Sequence, residues 1–163
     1  MPTIIGIDPG PVVGVALLAL GRNNRGDGSI CPWRITERHA LQVTPGLLGT
    51  VLDALGPSAH AVAVERFVVG PRAARSSTAK AGGAARDIVG QVTDWADRYA
   101  LNLCLRSAAE VKPWATDERL IAAGLLDLTT GMRHARDATR HALFCAVRTY
   151  GLPDPLSKRG IDR

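Results

Sequence analysis

Three acids stand apart from the other carboxylates of the sequence. Asp8 closes the apolar run "TIIGID", Glu65 closes "HAVAVE", and Asp137 sits in "HARDATRH" among basic residues. A buried carboxylate costs free energy unless it is paired or holds a cation, so an acid at the end of an apolar strand reads as aimed into a cleft. Clustered carboxylates also repel one another, and in isolation at least one takes up a proton. A divalent cation relieves that repulsion. Hard oxygen donors suit Mg²⁺ or Mn²⁺, with positions left open for water and phosphate oxygens. Two such ions would activate a water and stabilise the leaving oxygen of a phosphodiester. On a helix, His134, Asp137 and His141 fall within an arc of roughly 60°, from the 3.6-residue period, and so share a face.

Taken singly, each acid has a simpler reading. Asp8 can cap the "DPG" turn. Glu65 can pair with Arg66 or another arginine at a sheet edge. Asp137 can pair with His141 one turn on, or stabilise a helix N-terminus. His134 and His141 can be ordinary surface or satisfied histidines.

The acids need elements to position them. "TIIGID" and "VVGVALLAL" read as a hairpin turning at "PGP". Gly6 and Gly14 inside those strands mark a bulge or a close backbone approach. "NNRGDGS" reads as a loop and "WRITERHALQV" as a third strand. "PGLLGTVLDAL" has helical apolar spacing, and "HAVAVERF" is a short strand, central in the sheet. A basic connection, "GPRAARSSTAKAGG", leads into a helix over about 84–99, with Ile88, Val89, Val92, Trp95 and Tyr99 on one stripe. "LNLCLRS" is a fifth strand. Ser107 and Glu110 form a capping-box pattern for a short helix stopped by Pro113, and Thr116 and Asp117 open "DERLIAAGLL". A last helix spans about 134–150, ended by Gly151 and Pro153. The coarse order β-β-β-α-β-α-β-α-α makes an α/β layer arrangement, a mixed sheet led by a hairpin with helices packed on it.

At 163 residues, 46% hydrophobic and 21% charged, the chain reads as one ordinary globular domain over 1–163 with a short basic tail. Asp8, Pro9 and Pro11 interrupt the first apolar run, so no membrane span is expected, and no secretory leader is seen. Cys31, Cys104 and Cys145 are scattered and odd in number, which favours reduced thiols in the cytoplasm over a disulfide frame or a zinc site. The formal charge of +5 and a pI near 9.6 hint at a polyanionic partner. Five basic residues with no acid among them run from Arg66 to Arg86: Arg66, Arg72, Arg75, Lys80 and Arg86. Each alone could be a solvated side chain. "GIDPGP" does not match the glycine pattern of a dinucleotide site, and the chain is too short for the paired domains of an actin-like ATPase.

In order along the chain, "IIGIDPGPVVGVALL", "AVAVERF", "GGAARDIVGQV", "AAEVKPWATDERL" and "HARDATRHALFCAV" resemble the motifs of RuvC-type Holliday-junction resolvases. The resemblance spans almost the whole chain. It implies an RNase H-like fold with a mixed five-stranded sheet and helices on both faces, a homodimer, and metal-dependent, paired nicking of a four-way DNA junction. It also implies a bacterial cytoplasm or a phage-infected host. Asp8, Glu65, His134 and Asp137 would bind Mg²⁺ or Mn²⁺, two ions per site, with His134 matching the His-x-x-Asp form of the closing motif. Lys112 would stabilise charge on the phosphorane. Arg66, Arg72, Arg75, Lys80 and Arg86 would follow the DNA backbone. The family's aromatic wedge falls at Val68 here, with Phe67 one residue early. Arg140 stands where a second carboxylate could complete the site. Trp95 and Val92 of the long helix are candidates for the dimer interface. Two other readings share the fold: a metal nuclease acting on flaps, forks or RNA–DNA hybrids, and a catalytically silent junction-binding dimer.

Overall fold

A computed structural model describes residues 1–24, 30–66 and 79–157. The sheet is formed by β1 (Thr3–Asp8), β2 (Val13–Asn24), β3 (Ile30–Val43), β4 (Ala61–Glu65) and β5 (Asn102–Arg106), in the order β3-β2-β1-β4-β5. β1, β2 and β3 are antiparallel neighbours, while β4 lies parallel to β1 and β5 parallel to β4. The sheet is therefore mixed and hairpin-led, as an RNase H-like fold requires. The helices are α1 (Pro45–Leu55), α2 (Ala79–Arg98), α3 (Ala108–Val111), α4 (Asp117–Ala122) and α5 (Arg133–Arg148).

Two apolar layers explain the strand patterning. Ile5, Ile7, Val13, Val15, Val62 and Val64 meet Leu48 and Leu52 of α1 and Ile88, Val92, Trp95 and Ala96 of α2. The alternate residues Ile4, Ala16, Leu18, Leu20, Ala61 and Ala63 meet Ala138, Ala142, Leu143 and Ala146 of α5. Successive strand residues point to opposite faces, so β1 and β4, buried on both, read as unbroken apolar runs.

α5 lies unusually close to the sheet, and the two strand glycines are the reason. A Cβ at Gly6 would overlap the carbonyl oxygen of Ala138, and one at Gly14 would overlap that of His134. Of the two roles open to these glycines, close backbone approach is the one the structure uses.

Several boundaries differ from the sequence reading. β2 continues through Asn24 and β3 starts at Ile30, so part of the "NNRGDGS" loop is strand; residues 25–29 lie outside the described residues. α2 begins at Ala79, five residues early, since the apolar stripe that marked the helix starts only in its third turn, at Ile88. α4 covers only Asp117–Ala122, because Gly124 (φ 68°) turns the chain. Three helices follow β5, matching the three segments read as helices there, though the coarse order counted two. Val92 is fully buried and Trp95 is 3% exposed, so both belong to the core and not to a dimer interface. Among the described residues no helix is long and apolar enough to cross a membrane.

Candidate active site

β1 and β4 are parallel, with Ile7 opposite Val64, so their final residues, Asp8 and Glu65, finish side by side. Ile4 and Ala61 face α5, and the two-residue strand period puts Asp8 and Glu65 on that same face. α5 brings His134 and Asp137 over these strand ends. Its backbone is fixed there by the glycine contacts and by a hydrogen bond from the His134 N–H to Gln42 Oε1 of β3, 2.9 Å.

His134 Nδ1 and Asp8 Oδ2 are 2.7 Å apart. Burial pushes the Asp8 carboxyl above its ordinary range; the hydrogen bond to His134 works against this, and the nearby charges of Glu65 and Asp137 add to it. The two other acids thus lie close enough to be felt at Asp8, the repulsion expected of a converging set.

Lys112, just after α3, reaches back into the cluster. Its Nζ donates to Asp137 Oδ2 at 2.9 Å and stands 3.8 Å from Glu65 Oε2. Burial alone would lower this ammonium, but the hydrogen bond to Asp137 and the surrounding acids raise it above its usual value. Burial would likewise raise Asp137, yet hydrogen bonds and charge from Lys112 and Arg140 hold it below the ordinary carboxylate range. Arg140 joins Asp137 Oδ1 to Asp117 Oδ1, the second contact at 2.6 Å, and its Nε donates to the Ala115 carbonyl at 3.1 Å. α3 starts where the Glu110 carboxylate accepts from the backbone N–H and hydroxyl of Ser107, at 2.8 and 2.9 Å. That cap positions Lys112.

Asp8, Glu65, His134, Asp137 and Lys112 therefore lie together. Glu65 does not pair with Arg66, which is exposed; its neighbours are Lys112 and His141. His141, 2% exposed, has Nε2 at 3.3 Å from Glu65 Oε2, and neither atom has a hydrogen-bond partner. Sequence reasoning placed His141 on the right helical face but gave it no role in the site. Its signal was the spacing from His134. Asp137 pairs with Lys112 and Arg140 and not with His141. Among the described residues no three Asp, Glu, His or Cys side chains are gathered tightly enough to hold a metal as they stand. Lys112 and Arg140 supply the positive charge between the acids instead.

The basic run is only partly described. Phe67, Arg72 and Arg75 lie outside the described residues, and for Lys80 only its place in α2 is given. Arg86 is exposed, its Nε donating to the Gly82 carbonyl at 3.1 Å, with no described contact to the acids.

No protein-family model matches the chain, and no curated protein sequence matches it. Among solved structures the chain is similar to T. thermophilus RuvC in complex with Holliday junction substrate, at 22% identity over 88% of this chain and 92% of that one, with a TM-score of 0.59. The sheet order, the placement of α5 and this likeness agree on one conclusion: the chain has an RNase H-like fold, as RuvC does.

Proposed function

We propose that the protein is a metal-dependent endonuclease that resolves four-way DNA junctions by paired nicks, acting as a homodimer. The observation that carries this reading is the meeting of Asp8, Glu65 and Asp137, from β1, β4 and α5, on one face at the ends of two parallel strands. The likeness to a RuvC bound to a Holliday junction supports the substrate.

The residues fit divalent cations. Glu65 Oε2 is buried without a hydrogen-bond partner, and the charges of Glu65 and Asp137 help raise the Asp8 carboxyl, so added positive charge is favoured here. Asp8, Glu65, Asp137 and His134 would hold Mg²⁺ or Mn²⁺, which when bound supplies an activated water and charge for the leaving oxygen. Asp8 fixes the His134 ring through Nδ1; Nε2, which has Arg133 Nη2 at 3.5 Å, is the ring atom that would turn to metal or to a proton at the scissile phosphate. Lys112 neutralises charge on the non-bridging phosphate oxygens. Arg66, Arg72, Arg75, Lys80 and Arg86 track the DNA backbone, and Phe67 lies nearest the position of the family's junction wedge.

The test is cleavage of a labelled mobile four-way junction beside a flap and an RNA–DNA hybrid, with Mg²⁺ or with EDTA, using the natural chain and Asp137→Asn. Symmetric nicks in the junction alone, lost with EDTA and in the variant, are expected. Cleavage of flaps or hybrids instead would keep the metal chemistry and overturn the substrate. Junction binding without cleavage in Mg²⁺ would leave a silent binding dimer.

A further inference from the structure

Cys104 and Cys145 are 41 residues apart in the chain, yet their Sγ atoms are 3.3 Å apart. The fold brings them together. Cys104 lies opposite Ala63 in the β4–β5 register, on the face that α5 covers, and Cys145 lies one turn beyond His141 on α5. A disulfide needs sulfurs at about 2.05 Å, so closure asks for a shift of only about an ångström. Cys145 is buried and Cys104 is partly accessible, and both are free thiols. A cavity of about 500 Å³ is lined by both cysteines together with Arg106 and Arg148.

We infer that Cys104 and Cys145 form a peroxide-oxidisable dithiol that closes to a disulfide, tying edge strand β5 to α5. The two sulfurs have unequal parts. Cys145 donates its S–H to Cys104, and this hydrogen bond, with help from Thr149 and the Arg106 charge, outweighs burial and lowers the Cys104 thiol to about 6. The same hydrogen bond, with burial, raises Cys145, so it keeps its proton. Cys104 is then a thiolate at neutral pH, and the thiolate is the nucleophile.

The chemistry balances with hydrogen peroxide as the oxidant. Cys104 Sγ attacks one peroxide oxygen; an S–O bond forms, the O–O bond breaks, and hydroxide leaves as water after taking a proton. Cys104 is now a sulfenic acid, oxidised by two electrons. Cys145 Sγ attacks it; the S–S bond forms, the S–O bond breaks, and the Cys145 proton leaves with the hydroxyl as a second water. Two thiols and one peroxide give one disulfide and two waters. A dithiol reductant reverses the state by exchange.

This inference stands independently of the nuclease reading. The experiment treats the full, natively folded chain at neutral pH with a small molar excess of hydrogen peroxide and reads intact mass and a peptide map, with Cys31 alkylation as the control for general oxidation. A loss of two hydrogens, a Cys104–Cys145 cross-linked peptide and recovery of both thiols with dithiothreitol are expected. Cys145→Ala should trap the sulfenic acid on Cys104, read as a dimedone adduct, while Cys104→Ala should leave Cys145 unmodified. Two unchanged thiols in the folded natural chain, oxygen addition without a cross-link, or a bond only between separate chains would overturn it.

Discussion

Lys112 is the side chain through which Glu65 and Asp137 share one positive charge. Lys112→Met keeps the length of the side chain but removes the ammonium, leaving two acids and a phosphate in one cleft. Removing a single positioned group that stabilises transition-state charge costs about 10²–10³ in rate. Single-turnover cleavage by Lys112→Met in saturating Mg²⁺ should fall by that order, with junction binding changed far less. An unchanged rate would remove Lys112 from the chemistry. The sequence made Asp8 and Glu65 legible because an acid ending an apolar strand is conspicuous, and Asp137 because it shares a helical face with His134 and His141 among basic residues. Arg140 and His141 were less so, since an arginine beside an acid on a helix is ordinary, and a buried histidine shows no burial signal from the spacing alone.

Glycine spacing decides how near α5 can approach. Gly14→Ala would place a methyl group against the His134 carbonyl, and backbone atoms at both sides leave little room to yield. Overpacking of this kind costs about 1–3 kcal/mol, read from urea unfolding. Because the displaced residue is His134 itself, cleavage should fall by more than the lost folded fraction explains. The glycines were legible as a close approach or a bulge, but not which helix came close, because the contact joins residues from opposite ends of the chain. The start of α2 was not legible for a different reason: its first turn, "AKAG", is poor in apolar residues and shows no periodicity.

A second element-level clamp ties the chain after α5 to α4. Arg119 Nε donates to Asp154 Oδ1 at 3.0 Å and Nη2 to Oδ2 at 3.2 Å, while its guanidinium lies 4.8 Å from the Trp114 ring centroid. The hydrogen bonds from Arg119 hold the Asp154 carboxyl below the ordinary carboxylate range. A carboxyl depressed in the folded state adds stability above its unfolded pKa, and that stability is lost as pH falls through the folded value. Asp154→Asn should therefore lower the melting temperature at pH 7, with the gap to the natural chain closing in acid below the usual Asp range. A gap of equal size at both ends would show that the clamp works by shape and not by charge.

For the whole molecule, the excess of positive charge predicts strongly salt-dependent DNA binding. Each phosphate neutralised contributes about 0.9 to the slope of log affinity against log salt. Junction-binding titrations should lose about that much slope with Arg66→Ala and again with Arg86→Ala. A slope unmoved by either would place the phosphate track elsewhere. The fold class was legible from strand and helix order because two-faced burial writes apolar runs into β1 and β4. The proximity of Cys104 and Cys145 was not, since it arises only where edge strand β5 passes under α5.

The pairing of Asp8 with His134 spans 126 residues of chain. At translation rates of roughly 5–20 residues per second, the first acid is synthesised about 6–25 s before its histidine. β1, β2 and β3 can pair in that interval, but the cleft stays open on the side that α5 will later close. A ribosome carrying this chain thus holds a folding sheet, and the cluster of Asp8, Glu65, His134 and Asp137 is not assembled until the last helix is made.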